Sequence, residues 1–171
     1  MDRVELARAV REICGGKIVI QPWGQPVAIF DRKMIGKDPI LLSRICNHMA
    51  KNISEETEII AGIGKGGIDI ASGIAKRTGK RLIVLQKNNL GELVIDDNLD
   101  IRGINIVLVD DIVCRGDKAI LAKKIVEKSY PGCRVNGLSV VVSRGNVFES
   151  RLNESGIRVR ALFNGEELRE V

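Results

Sequence analysis

The chain has 171 residues, 44% of them hydrophobic but only 3% aromatic, and a formal charge of +5. That length and apolar content suit one buried core, so a single domain over residues 1–171 is expected, with 1–52 forming an N-terminal helix, hairpin and helix and 53–171 an α/β core. The longest apolar runs fall far short of the roughly 20 residues that cross a bilayer, and the opening MDRVELARAV has no apolar signal core; a cytoplasmic protein with no membrane partner is expected.

In chain order, DRVELARAVREIC sets Asp2 three residues before Glu5, a capping-box spacing, and then places Leu6, Val10 and Ile13 on one helical face. KIVIQPWGQPVAIF holds two short apolar runs around a Pro-Trp-Gly-Gln-Pro turn, which predicts a β-hairpin with Trp23 at its tip. Asp38 and Pro39 start a helix carrying Leu41, Ile45 and Met49 on one side, together with His48. No second histidine or carboxylate stands at ligand spacing from His48, which reads as a surface or partly packed residue. From residue 57 the pattern becomes strand, glycine loop, helix, strand: TEIIAG, IGKGG, IDIASGIAKRTG and RLIVLQK. A second such unit follows as INIVLVDD, the loop IVCRGDK, the helix AILAKKIVEK and the strand VNGLSVVVS. A short helix, VFESRLNES, and the strand IRVRALF complete the chain. This alternation predicts an α/β fold: a central, mainly parallel sheet flanked by helices, under a small N-terminal hood of helix and hairpin.

Ligands of such sheets bind at the carboxyl ends of the strands. Three groups fall on that rim. The first is the glycine loop, with Gly64, Lys65, Gly66 and Gly67, whose backbone N–H groups at a helix start suit an anion. The second is the pair Asp110 and Asp111: adjacent carboxylates at the end of a buried strand repel one another and call for a partner, either an oxygen-seeking cation such as Mg²⁺ or the hydroxyls of a sugar. Beyond them Gly116 to Lys118 open a helix and offer a phosphate site. The third group is Ser143 and Arg144 after the Val run. A sugar phosphate with a metal is the simplest ligand for all of these, and the structural alternative is an Asp117 N-cap beside a solvated Asp pair. Cys14, Cys46, Cys114 and Cys133 form no CxxC pair and read as reduced thiols. The scattered Lys and Arg residues, with almost no aromatics for base stacking, rank nucleic acid below a small anionic partner.

An apolar strand ending in Asp-Asp, an apolar pair, a short loop and a glycine before a helix resembles the 5-phosphoribosyl 1-pyrophosphate (PRPP) signature of type I phosphoribosyltransferases. From about residue 15 to 168 the order and spacing resemble the orotate branch of that family, through AIFDRKMIGKDP, IAGIGKGGIDIASGIAKRTGKRLIVLQK and GLSVVVSRGNVFESRLNESGIRVRALF. The resemblance implies transfer of ribose 5-phosphate from PRPP to a pyrimidine such as orotate, with Mg²⁺ accompanying PRPP, in a homodimer. It further implies that Asp110 and Asp111 bind the ribose hydroxyls and touch the PRPP-bound metal. Cys114, Arg115, Gly116, Asp117 and Lys118 would cradle the 5′-phosphate. Gly64 to Gly67 and Lys87 would face the pyrophosphate, with Lys87 joining the acidic pair as catalytic residues. Arg144 would meet the pyrimidine acid.

This sequence departs from the family pattern in three places. Its phosphate loop keeps the glycine, but Cys114, Arg115, Asp117 and Lys118 stand where small and hydroxyl residues are usual, and Asp117 would repel a phosphate. The segment matching the mobile catalytic loop has Gln86 for an arginine, no Lys or His between Asn88 and Asp100, and the acids Glu92, Asp96, Asp97 and Asp100 instead. Ser143 replaces an aspartate before the matched arginine. These departures leave two alternatives open: a catalytically degenerate relative that binds PRPP or a nucleotide as a sensor or partner, and an RNA- or protein-binding module on the same fold.

Overall fold

The computed structural model describes residues 2–13, 17–20, 26–29, 33–95, 99–143, 147–165 and 167–170. The predicted Trp23 turn and the residues Cys14, Asp96, Asp97 and Arg144 lie outside these. The elements run α1 (Arg3–Ile13), β1 (Lys17–Ile20), β2 (Pro26–Ile29), α2 (Lys33–Lys37), α3 (Pro39–Ala50), β3 (Ile59–Ile63), α4 (Gly64–Thr78), β4 (Arg81–Lys87), β5 (Leu93–Ile95), β6 (Asn105–Val113), α5 (Asp117–Ser129), β7 (Arg134–Ser143), α6 (Val147–Glu154), β8 (Arg158–Asn164) and α7 (Glu167–Glu170). The capping box forms as spaced, the Asp2 N–H donating to Glu5 Oε2 at 3.1 Å and the Glu5 N–H to Asp2 Oδ1 at 2.8 Å. Asp38 caps α3 by accepting from the N–H groups of Ile40 and Leu41.

One sheet organises the chain in the order β5-β4-β3-β6-β7-β8, all parallel except β5, which pairs antiparallel with β4; β1 and β2 form a separate antiparallel hairpin. The central strands carry unbroken apolar runs, IIAGI in β3, IVLV in β6 and VVV in β7, because both faces are covered there. Ile60, Val107, Val109 and Val141 turn to the layer holding Leu6, Leu41, Ile45, Met49, Ile70 and Ile74 of α1, α3 and α4. Their neighbours Ile59, Ala61, Leu108 and Val140 turn to the layer of Ala119, Ala122 and Val126 of α5 and Leu152 of α6. Among the described residues no helix is long and apolar enough to cross a membrane.

Several boundaries differ from the sequence reading. The glycine segment is not a loop: α4 starts at Gly64, directly at the end of β3, so the glycines form its first turn. The helix after the acidic pair begins at Asp117, with Gly116 at φ 80 as its N-cap, so Asp117 is not the cap. The strand β5 falls within the segment read as a catalytic loop, and its pairing with β4 follows from an Asn88 turn. The Asn88 side-chain oxygen accepts from the N–H groups of Leu90 and Glu92, each at 3.0 Å.

Candidate functional site

β3, β6 and β7 run side by side with their carboxyl ends on one rim, which brings the glycine turn next to the acidic pair. Asp110 and Asp111 are 5% and 4% exposed, so the solvated pair considered from sequence is not what forms. Each carboxylate takes a backbone donor: Asp110 Oδ1 accepts from the Asp111 N–H at 2.9 Å, and Asp111 Oδ1 from the Ile112 N–H at 2.8 Å. The second oxygen of Asp110 accepts from Lys118 Nζ at 2.8 Å, and the same ammonium reaches the Ile63 carbonyl at 3.3 Å. Burial pushes Asp110 up to about 7; the positive Lys118 pulls it part of the way back, and the negative Asp111 adds to the rise.

That shift has a definite sign in stability. The folded chain holds the Asp110 proton up to about pH 7, whereas an unfolded aspartate loses it near 3.8, so this group's contribution is complete below the lower value and vanishes as pH rises through the upper one. The melting temperature of wild type relative to Asp110→Asn should therefore fall between about pH 5 and about pH 7.5, read by thermal melts across that range. Parallel curves would remove the shifted carboxyl.

Gly66 and Gly67 are required by what faces them. A Cβ on Gly66 would stand 2.7 Å from Cγ of Asp111, and one on Gly67 2.5 Å from the Val109 carbonyl oxygen. Glycine thus lets the first turn of α4 lie against the end of β6. Lys65 projects from this turn into solvent.

The segment after the pair is less uniform. Cys114 is half-buried, and Gly116 is buried against Leu152, while Arg115 is exposed and its Nε lies 3.3 Å from Asp117 Oδ2. Arg151, from α6, donates to Asp117 Oδ1 at 2.6 Å. Asp117 therefore carries two guanidinium partners, and the repulsion of a phosphate expected from its charge is countered locally. Sequence reading missed Arg151 altogether, because 34 residues separate it from Asp117 and no spacing signals the pair. Ser143, where an aspartate was expected, is buried and donates to Glu149 at 3.2 Å, so a carboxylate reaches this position from α6.

A cleft of about 880 Å³ collects Gly64, Lys65 and Gly66 from α4, Lys87 from the end of β4, and Asp111, Asp117 and Lys118. Its other wall is apolar and comes from the hood, α4, β5 and α5, through Ile35, Leu42, Ile70, Leu93 and Leu121. None of these five was read as a site residue, since apolar side chains of helices and strands look alike in sequence whether they line a core or a cleft. Gly67, Asp110, Cys114, Arg115 and Gly116 are not among the residues lining the cleft, and Arg144 lies outside the described residues. Asp69, which sequence analysis left aside, also lines the cleft near Gly36 of the hood. A smaller hollow of about 440 Å³ at the opposite ends of the strands, bordered by Arg158 and Arg160, shares no residue with it.

The chemistry this arrangement offers is recognition of a polyanion with hydroxyls: two carboxylates that accept from hydroxyl groups, two helix first turns that offer N–H groups, and three lysines. No family model matches the chain. It is 23% identical over 167 residues to the orotate phosphoribosyltransferase of Nocardioides sp., covering 95% of this chain and 92% of that one. It is 28% identical over 174 residues to the orotate phosphoribosyltransferase of Halobacterium salinarum, covering 98% and 95%. The crystal structure of orotate phosphoribosyltransferase from Aeropyrum pernix superposes with a TM-score of 0.79 at 18% identity, covering 96% of each chain.

Proposed function

We propose that this chain, which belongs to the type I phosphoribosyltransferase family, transfers ribose 5-phosphate from PRPP to orotate, releasing pyrophosphate and orotidine 5′-phosphate. One observation carries the reading: the two adjacent buried carboxylates of β6 stand against the first turns of α4 and α5, with Asp111 opening onto the cleft that both turns line. In this reading Asp110 and Asp111 accept hydrogen bonds from the ribose hydroxyls. The start of α5, from Cys114 to Lys118, holds the 5′-phosphate, and Gly64 to Gly67 with Lys65 and Lys87 hold the pyrophosphate. The bond from C1 to the pyrophosphate oxygen breaks with its electron pair on pyrophosphate, and a ring nitrogen of the base forms the new bond to C1 as its N–H proton is given up to the departing pyrophosphate or to water. Cations and N–H groups placed around the leaving group lower the barrier by holding charge that develops there. Arg144 keeps the role of partner for the orotate carboxylate, and a homodimer is part of the same reading.

Mg²⁺, which the family implies, does not find a protein-built site here. Both oxygens of Asp110 are engaged, one by the Asp111 N–H and one by Lys118, and the described residues contain no group of three His, Cys, Asp or Glu able to hold a metal. No step is assigned to the metal.

A second reading is favoured by a specific observation. The β4–β5 turn, which would neutralise pyrophosphate, presents Gln86 and Glu92 rather than added cations, so PRPP binding without turnover suits a sensor or partner. Loss of orotate absorbance with PRPP and Mg²⁺ decides between the two. Turnover proportional to enzyme is expected; no turnover with a PRPP-induced melting shift would move the conclusion to the binding role, and neither signal would sink both.

A further inference from the structure

Resting on the reading of the cleft as a PRPP site, we propose that the Lys118 ammonium takes the place of a divalent cation there, so that this protein binds PRPP without a metal. The position is the first argument. Nζ lies 2.8 Å from Asp110 Oδ2 and 3.3 Å from the Ile63 carbonyl, and 3.1 Å from where a Cβ on Gly64 would stand. It therefore occupies the junction of the three elements that build the site: the end of β6, the first turn of α4 and the first turn of α5. A cation bridging a strand-end carboxylate and the anion-binding turn is what a metal bound between a sugar and its pyrophosphate would supply.

The charge arrangement agrees. Three acids line the cleft: Asp117 is answered by Arg115 and Arg151, Asp111 accepts the Ile112 N–H, and Asp69 stands at the hood side near Gly36. Lys65, Lys87 and Lys118 line the same cleft. A polyanionic ligand then meets cations that belong to the chain rather than ones it must bring. The Lys118 side chain is 46% exposed, against 8% for Asp110, so the ammonium can meet an incoming phosphate from its solvent side while it stays on Asp110, itself fixed by the Asp111 N–H. Glycine at 64 keeps the path of the ammonium open, since a side chain there would press on it.

The carboxylates point the same way. Mg²⁺ is held through one or two carboxylates together with substrate phosphates and waters. Asp110 has both oxygens engaged, and with an ammonium already on one of them a second cation at that oxygen would be repelled.

The test is the PRPP-induced melting shift, titrated in Mg²⁺ and again in EDTA, for wild type, Lys118→Met and Lys118→Gln. Wild type should bind PRPP in EDTA within about 3-fold of its affinity in Mg²⁺, and both variants should lose roughly 10-fold or more in EDTA, the size expected for a hydrogen bond to a charged group. A wild-type shift that disappears in EDTA overturns the proposal and needs no variant to do so. Equal losses in wild type and both variants overturn it as well. No shift in either buffer would instead remove the PRPP reading of the cleft, and this proposal with it.

Discussion

Replacing both members of the acidic pair, Asp110→Asn with Asp111→Asn, should remove PRPP binding and reduce orotate turnover by about 10²–10⁴-fold, two hydrogen bonds to charged groups being worth roughly 3–6 kcal/mol together. Asparagine keeps the shape of each side chain and offers one acceptor oxygen to the N–H groups of Asp111 and Ile112 that the carboxylates now bind. It removes the charge to which ribose hydroxyls would donate. Neutralising two neighbouring carboxylates buried at 5% and 4% exposure relieves their mutual repulsion but also removes the partner of Lys118, whose half-exposed ammonium water can solvate, so the variant should melt close to wild type in the absence of ligand. Loss of function with retained stability separates a binding role from a folding role. A double variant that still shows the PRPP melting shift would end the assignment of a ribose site to this strand end.

Gly66→Ala is expected to reduce turnover at least about 10²-fold while destabilising the fold by about 1–3 kcal/mol, the range for inserting a methyl into a filled site. The new methyl would overlap the Asp111 carboxylate, whose Cγ and Cβ lie 2.7 and 3.1 Å from it. Asp111 is short and its Oδ1 is held by the Ile112 N–H, so it has to rotate off the position facing the cleft or push α4 away from β6. Either movement disrupts the acceptor and the anion-binding turn together. Gly79→Ala provides the comparison. Gly79 ends α4 at φ 69 with nothing near its would-be Cβ, so alanine there strains the backbone by about 1 kcal/mol and should leave turnover unchanged. Equal kinetics for the two alanine variants would show that the close approach of Gly66 to Asp111 has no functional weight.

The architecture was legible because a buried parallel strand, a glycine turn and an amphipathic helix each leave a local pattern. IIAGI in β3 and IVLV in β6 are apolar at every position since both faces are covered. The break to Asp110 and Asp111 marks where polar groups enter the strand, which stays buried and paired with β7 to Val113. The weaker readings sit where several local structures share one composition. GKGG has the composition of a loop yet forms a helical turn, because the first turn of a helix needs no intrahelical N–H bonds and glycine satisfies either description. The segment from Asn88 to Ile95 was read as a catalytic loop, but Asn88 accepts backbone bonds that fold part of it onto the sheet edge as β5.

By itself the sequence determined the alternation of strands and helices, the rim on which the polar groups gather and the residue types found there, since all of these follow from hydrophobic period and from backbone rules that act within a few residues. Only the tertiary structure decided how the charges pair. Lys118 reaches Asp110 across a helix start, Arg151 reaches Asp117 from another helix, and an apolar wall assembled from the hood, α4, β5 and α5 closes the cleft. These partners are chosen by separations of a few ångströms between elements far apart in the chain, where electrostatic energy depends on distance and burial and carries no sequence period.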